Sequence, residues 1–382
     1  MKQNCLTRES IKSKAAILIL AYADYESLEL ALASHAKFTV DAGLPIYILM
    51  NGRRTYDTER TCAVAKRYQS LFPETIKVIT DILPQKPYLA IRQLFHSSLF
   101  SNYEYVIKLD DDVMVLTPDW VDKLIDTYIQ SYEQEGESLA YVTSLVNNNP
   151  YGFKKLIDSS EELSEEYYTR MARRHLVGCA PDDNYNPYRI MPKETIFDGG
   201  FGTVWQLGYL GRWIHEKTTL QPEHYIELAR NLPVEEFDSR KRYSINCMLF
   251  NKALWDEMNN GGVDDEFMAH VYCMLNKKKI YANLSVPMVH IAFASQRDEI
   301  RDMIPQIRDA YTDFLALPFP IALCGNRQIE IENRLRFLEK SQKHGIAASK
   351  AVEKVRGGIQ CYQEHGLKYT VNRTLVHLHV KR

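Results

Sequence analysis

The feature that most constrains the fold is a regular alternation of strand-like and helix-like segments in the first third of the chain. Apolar runs of strand length lie at residues 15–21, 44–50, 75–80 and 105–109. Between them, apolar side chains recur at helical spacing in residues 25–39, 58–71 and 89–100. This alternation predicts an α/β fold with a mostly parallel sheet flanked by helices. Ligands in such sheets bind beyond the carboxyl ends of the strands.

The later part of the chain is less regular. Further strands are predicted at residues 139–145, 195–206 and 287–294. Further helices are predicted at residues 120–133, 240–255 and 264–276, and from residue 301 onward. Residues 147–192 are polar and interrupted by prolines, which is typical of a long functional connection. We expect a catalytic domain over residues 1–300 and a helical extension over residues 301–382.

Composition narrows the class of protein. The seven cysteines are scattered and lack CxxC spacing, which favours reduced thiols over a disulfide framework or a zinc site. No apolar run is long enough to span a bilayer, and the first residues do not resemble a secretory signal. These features predict a cytoplasmic protein, at most peripheral on the inner face of the cell membrane.

The charge is unevenly distributed. The formal net charge is −2, yet residues 331–382 carry eleven Lys and Arg against four Glu. The body of the chain is therefore acidic, which argues against nucleic-acid binding. Within the basic region, residues 366–382 combine an apolar helical stripe with flanking cations. This pattern predicts a peripheral contact with anionic membrane, with docking on the protein core as the alternative.

Three consecutive carboxylates, Asp110, Asp111 and Asp112, directly follow the strand at residues 105–109. Adjacent negative charges repel, and a hard divalent cation offsets this by binding carboxylate oxygens and bridging them to substrate phosphates. The alternative is a solvated acidic turn. The triplet alone leaves both interpretations open.

Two later features carry related chemistry. The segment GGVDDEF opens a predicted helix and presents Asp264 and Asp265, as a general base or as a helix cap. His290 lies in the apolar segment PMVHIAF, where a satisfied core histidine is the usual interpretation. Imidazole nevertheless suits Mn²⁺ beside carboxylates, and the upstream triplet makes that role plausible.

The order of these motifs resembles the GT-A glycosyltransferases, particularly inverting family-two-like bacterial enzymes that assemble polysaccharides. The resemblance covers about residues 14–295. It implies that Asp110 and Asp112 form a DxD motif and that His290 completes the shell of a Mn²⁺ or Mg²⁺ ion. It also implies that these carboxylates, together with Asp111 between them, hold the nucleotide.

The resemblance also implies a catalytic base. Asp264 matches the family's base position. The family usually has Glu immediately before that residue, where this chain has Val263, so Asp265 remains the alternative base.

Further donor contacts are implied by the same resemblance. Tyr22 would stack on the nucleobase and Asp24 would accept its N–H, whereas Arg92 would approach the donor. Asp198 would accept a sugar hydroxyl and Arg297 would reach the diphosphate. Four of these residues have a structural alternative: packing for Tyr22, a solvated helix cation for Arg92, a bulge beside Asp198 and a strand end for Arg297.

The implied activity is transfer of a sugar, with inversion, from a nucleotide-sugar donor to a hydroxyl acceptor. A UDP-sugar is the expected donor, and a glycan or lipid-linked oligosaccharide is the expected acceptor. A catalytically inactive glycan-binding or scaffold protein is one alternative, favoured by Val263. A sugar-phosphate nucleotidyltransferase is another, but residues 15–30 contain none of the glycines that a phosphate loop needs. A phosphatase lacks an upstream nucleophile motif.

Overall fold

The computed structural model describes residues 6–171, 204, 207–239, 246–258, 265–291 and 296–322. The chain divides into two compact units, residues 1–322 and residues 323–382, and every described residue belongs to the first. The predicted separation of a helical extension from residue 301, and the amphipathic segment 366–382, stay predictions. No helix within the described ranges is long and apolar enough to cross a membrane.

The described residues form nine strands and thirteen α-helices. The strands are β1 Ala15–Ala21, β2 Ile46–Met50, β3 Ile76–Ile79, β4 Tyr105–Asp110, β5 Val113–Val115, β6 Leu139–Val146, β7 Val234–Phe237, β8 Cys247–Asn251 and β9 Lys279–His290. The helices are α1 Arg8–Lys12, α2 Tyr25–Phe38, α3 Tyr56–Leu71, α4 Pro87–Phe95, α5 Trp120–Glu135, α6 Pro150–Ser159, α7 Glu161–Glu166, α8 Gly208–Lys217, α9 Pro222–Ala229, α10 Ala253–Glu257, α11 Asp265–Leu275, α12 Arg297–Arg301 and α13 Ile304–Leu315.

All nine strands belong to one sheet in the order β3-β2-β1-β4-β8-β6-β9-β5, with β7 beside β9. The pairs among β1, β2, β3 and β4 are parallel. Beyond β4, antiparallel β8 separates β4 from β6, β6 runs parallel to β9, and β5 and β7 run antiparallel to β9. Every residue of β1, β2 and β6 is buried, so both faces of these strands are covered. The predicted α/β fold is confirmed.

The prediction of a helix at residues 240–255 is wrong at residues 247–251, and its first part, residues 240–245, lies outside the described residues. Residues Cys247–Asn251 form β8, which pairs with β4 on one side and β6 on the other, and α10 follows. Periodicity does not separate a short apolar run in a helix from one in a buried strand. Here the decisive information is the pair of neighbouring strands, which the local sequence does not contain.

The prediction of a long connection at residues 147–192 is also wrong at its start. Residues 150–159 form α6, and residues 161–166 form α7. Pro150 occupies the first turn of α6, where its missing N–H costs nothing. Asn149 caps this helix by accepting a hydrogen bond from the Gly152 N–H at 2.7 Å. The predicted strand at residues 195–206 lies almost entirely outside the described residues.

Candidate active site

The pairing of β5 with β9 brings Asp112 and His290 together. Val113 is opposite His290 in this antiparallel pair, and the Ile291 N–H donates to the Asp112 carbonyl oxygen at 3.1 Å. As a result, Nε2 of His290 lies 3.2 Å from Oδ2 of Asp112. Asp110 ends β4, and one ligand atom from each of Asp110, Asp112 and His290 lies within 4.8 Å of the others.

The His290 ring is buried and its orientation is defined. Nδ1 lies 3.3 Å from the Asn148 carbonyl oxygen, so Nδ1 carries the proton of that hydrogen bond and Nε2 faces the carboxylates. Burial lowers the pKa of His290, but the charge of Asp112 and the hydrogen bond to it outweigh burial, and the net pKa is raised. A divalent cation would compete with a proton for the same Nε2 lone pair.

Asp110 is held by two protein donors. Lys108 Nζ donates to Oδ1 at 2.7 Å, and Asn246 Nδ2 donates to Oδ2 at 2.9 Å. The Lys108 side chain is 1% exposed, so its ammonium is a buried charge that needs this partner. A carboxylate oxygen has a second lone pair, so Asp110 retains the capacity to bind a cation.

Asp111 contributes differently from its two neighbours. Its Oδ2 accepts a hydrogen bond from the Tyr22 backbone N–H at 2.9 Å, which joins the end of β4 to the end of β1. Burial, followed by the charge of Asp112, raises the pKa of Asp111 well above its usual range, although the Tyr22 hydrogen bond opposes this shift. Asp111 thus fixes the loop that carries Tyr22.

Tyr22 lies at the carboxyl ends of the parallel strands, and the residue is 36% exposed. Its hydroxyl accepts a hydrogen bond from Asn51 Nδ2 at 3.0 Å. Buried Asn51 also exchanges two hydrogen bonds with the Gln85 backbone, at 2.9 and 3.0 Å. Asn51 therefore joins the segments that follow β1, β2 and β3, and it holds the exposed ring in one place.

Asp24 and Arg297 lie on the same side of the molecule. Asp24 caps α2 by accepting from the Ser27 N–H at 3.2 Å, and its other oxygen is 4.0 Å from Arg297 Nε. Both side chains remain partly exposed. This arrangement places a carboxylate and a guanidinium beside the Tyr22 loop.

The four remaining predicted residues are Arg92, Asp198, Asp264 and Asp265. Arg92 Nε lies 3.6 Å from Asp256 Oδ1, which links α4 to α10. Asp198 and Asp264 lie outside the described residues, and so do the side-chain contacts of Asp265, the first residue of α11. The helix predicted at this position is confirmed, whereas the roles of these residues stay predictions.

Sequence reasoning missed four buried amides around the site. Asn147, Asn148 and Asn149 follow β6 directly, and Asn246 precedes β8. Asn147 Oδ1 accepts from the His290 N–H at 3.0 Å, and Asn149 caps α6. The signal was available: three consecutive amides after an apolar strand occupy the same kind of sheet edge as the acidic triplet.

The three candidate ligands suit a divalent cation. Two carboxylates and one imidazole are ligands that Mn²⁺ accepts, and Mg²⁺ prefers the carboxylates. The Lys108 ammonium offsets part of the negative charge of the three carboxylates. Asp110, Asp112 and His290 thus fit a resident metal ion, while the exposed ring of Tyr22 offers a flat apolar surface nearby.

Comparison with known proteins yields structural likenesses at low sequence identity. No protein-family model matches the sequence, and no curated protein matches it. A mannosyltransferase from Pyrobaculum calidifontis, solved with GDP-Man and Mn²⁺, is 11% identical with a TM-score of 0.39, covering 97% of this chain and 88% of its own. Glucosyl-3-phosphoglycerate synthase from Mycobacterium tuberculosis, solved with Mn²⁺, UDP and glucosyl-3-phosphoglycerate, is 12% identical with a TM-score of 0.34, covering 82% and 86%. These likenesses are too distant to carry a function over to this chain.

Proposed function

We propose that this protein is a metal-dependent GT-A glycosyltransferase that moves a sugar from a nucleotide-sugar donor to a hydroxyl acceptor. The observation that carries the proposal is the convergence of Asp110, Asp112 and His290 within 4.8 Å. Asp110 ends β4, Asp112 lies in the turn before β5 and His290 ends β9, and they meet where α/β sheets bind ligands. A bound divalent cation would neutralise the charge that develops on the departing nucleoside diphosphate.

The chain's own residues would bind and orient the donor. Tyr22, held by Asn51, offers its ring to the nucleobase, and Asp24 offers a carboxylate oxygen to a base N–H. Arg297 is near enough to this loop to bind a donor phosphate. Asp111 keeps the Tyr22 loop attached to β4, so the base and the diphosphate would be bound at a fixed separation.

The proton of the acceptor hydroxyl needs a base. We assign this role to Asp264, which matches the base position of the family that the sequence resembles, with Asp265, the first residue of α11, as the alternative. A base opposite the leaving group supports direct displacement and therefore inversion. A UDP-sugar is the proposed donor, a glycan or lipid-linked oligosaccharide is the proposed acceptor, and residues 366–382 would contact anionic membrane.

A nucleotide-sugar panel tests the proposal. The protein is incubated with individual UDP- and GDP-sugars, with Mn²⁺ or with EDTA, and its thermal stability and the release of nucleoside diphosphate are measured. We expect one donor to stabilise the protein only with the metal, by ~2.7 kcal/mol at one hundred times its dissociation constant. Stabilisation without diphosphate release, even with glycan acceptors present, would favour the inactive glycan-binding alternative. No metal-dependent effect of any donor would reject the proposal.

The membrane contact has a separate test. The full-length protein should sediment with anionic vesicles at low salt, because each basic residue near such a surface contributes about 1 kcal/mol. A chain ending at residue 365 should stay in the supernatant. Equal sedimentation of both chains would show that residues 366–382 do not bind lipid.

A further inference from the structure

Asn147 uses every hydrogen-bonding position of its side chain. Oδ1 accepts from the backbone N–H groups of His290, at 3.0 Å, and Asn148, at 2.7 Å. Nδ2 donates to the hydroxyls of Thr218, at 2.8 Å, and Thr219, at 3.0 Å. The residue is fully buried. A primary amide offers two donors and two acceptor lone pairs, so rotating this one would leave several buried polar groups unpaired.

These contacts fix the metal-binding histidine from two directions. The bond to the His290 N–H fixes the backbone from which the ring projects. The bond to the Asn148 N–H holds the residue whose carbonyl oxygen faces His290 Nδ1 at 3.3 Å. With Nδ1 facing that carbonyl, Nε2 is directed to Asp112, 3.2 Å away. A change in the Asn147 side chain would therefore alter the direction in which the Nε2 lone pair points.

The residue after His290 is held by the same group of amides. Asn148 Nδ2 donates to the Ile291 carbonyl oxygen at 3.3 Å and to Gln296 Oε1 at 2.9 Å. Nε2 of His215, a buried residue of α8, lies 2.6 Å from the same carbonyl oxygen. The end of β9 is thus surrounded by neutral hydrogen-bonding groups, an arrangement that orients the imidazole without adding charge beside the cation.

We propose that Asn147 is a positioning residue. It orients the His290 imidazole towards the metal and so determines the affinity of the site for Mn²⁺. This inference rests on the metal site of the proposed function. Groups that orient a metal-bound histidine contribute about 10–100-fold to metal affinity. Asn147 itself does not touch the cation; it acts through the backbone and ring of His290.

A double-mutant cycle on the nucleotide-free, full-length protein tests this role. The dissociation constant for Mn²⁺ is measured calorimetrically for the wild type, Asn147→Ala, His290→Ala and the double variant. We expect Asn147→Ala to weaken Mn²⁺ binding by about 10–100-fold when His290 is present. In the His290→Ala background Asn147→Ala should change the affinity little: the bond to the N–H of residue 290 is lost there too, but no imidazole remains to be oriented.

A matched control variant separates the orientation of His290 from the overall stability of the protein. Asn283 is also a buried amide on β9, and its Nδ2 donates to the Thr127 hydroxyl at 2.8 Å. Asn283→Ala should lower the urea midpoint yet leave the Mn²⁺ dissociation constant unchanged. If Asn147→Ala does not fold, Thr218→Val removes one partner of the Asn147 amide with little change in volume. It should weaken Mn²⁺ binding by a smaller factor, again only when His290 is present.

The outcomes are distinguishable. Equal weakening by Asn147→Ala in both backgrounds, or no weakening in either, overturns the positioning role while the metal site stands. A wild-type protein that binds no Mn²⁺ overturns the metal-dependent function as well. A loss of affinity in Asn283→Ala equal to that in Asn147→Ala would mean that stability alone governs the measurement, and the positioning role is then rejected.

Discussion

Nε2 of His290 lies 3.2 Å from Oδ2 of Asp112, although the two residues come from distant parts of the chain. Their proximity follows from strand pairing, since Val113 is opposite His290 where β5 runs antiparallel to β9. The position of the pair is therefore set by backbone hydrogen bonds and not by a flexible loop. Such support is what a metal site requires of its ligands.

The first prediction concerns Asp112. Asp112→Asn removes a charged ligand, and we expect it to abolish Mn²⁺-dependent binding of UDP while the protein stays folded. His290→Ala should weaken the binding less, because it removes one neutral ligand. Calorimetric titration with UDP, with and without Mn²⁺, measures both effects.

The control for this experiment is Asp158→Asn. Asp158 is a partly exposed carboxylate that pairs with Lys154 four residues earlier in α6, and pairs of this kind contribute at most about 1 kcal/mol. This variant should bind UDP as the wild type does. Undiminished metal-dependent binding by Asp112→Asn would contradict the proposed metal site.

The second prediction concerns the catalytic base. Asp264→Asn should bind the donor normally but transfer sugar about 10²–10⁴-fold more slowly, because general bases typically contribute that factor. Single-turnover rates at saturating donor separate transfer from binding. A slow Asp265→Asn with a normal Asp264→Asn would move the base by one residue. If both variants keep the full rate, the acidic pair only caps the helix.

The elements that the sequence predicts well are those whose pattern is local. The alternation up to β4 predicts the parallel strands, and the triplet after β4 predicts the sheet edge at which His290 is found. Strand β8 was assigned to a helix because its neighbours, β4 and β6, lie far away in the sequence. For Asn147 the local signal, three consecutive amides after a strand, marks the sheet edge, but its partners in β9 and after α8 become visible only when the chain is folded.

The partners of charged residues were equally hard to predict. Nothing local indicates that Lys108, within an apolar strand, directs its ammonium to Asp110, or that Asn246 occupies the other oxygen. The resemblance implies a donor contact for Arg92, which stays a prediction, but it does not indicate that the Arg92 guanidinium lies 3.6 Å from Asp256. Ion pairs depend on side-chain directions at the ends of elements, and those directions follow from the packing of the whole unit.

The third prediction concerns Gly52, which follows Asn51 after β2. A Cβ at this position would lie 2.4 Å from the Tyr22 carbonyl oxygen. Gly52→Ala must therefore displace the Tyr22 backbone, whose N–H binds Asp111. We expect nucleotide binding to weaken while Mn²⁺ affinity, measured without nucleotide, is largely retained.

Gly43→Ala is the matched control for Gly52→Ala. Gly43 has a φ of 78°, and a Cβ there would have open space around it. Alanine in this left-handed conformation costs about 1–2 kcal/mol. The control should lose stability without losing nucleotide affinity. If both variants bind nucleotide like the wild type, the Tyr22 loop does not form the donor pocket.

The last prediction concerns acid stability and rests on two buried histidines. Burial lowers the pKa of His35 to about 3 and that of His215 to about 4. In the unfolded chain both rings bind a proton near pH 6.5. Between these values the unfolded state binds more protons than the folded state, so the free energy of unfolding falls as the pH is lowered from about 6.5 towards 4. Each ring contributes a slope of about 1.4 kcal/mol per pH unit over that interval.

His35→Gln isolates one of these contributions at a position remote from the carboxylate triplet. His35 lies in α2, with Nδ1 2.9 Å from the Thr39 hydroxyl, which also accepts a hydrogen bond from the indole of Trp120. Glutamine offers an uncharged polar group to the same hydroxyl and cannot be protonated. Urea unfolding at intervals between pH 7 and pH 4.5 should give a slope shallower than that of the wild type by about 1.4 kcal/mol per pH unit. Identical slopes in the two proteins would mean that the His35 ring accepts a proton in the folded state, which its burial beside Trp120 argues against.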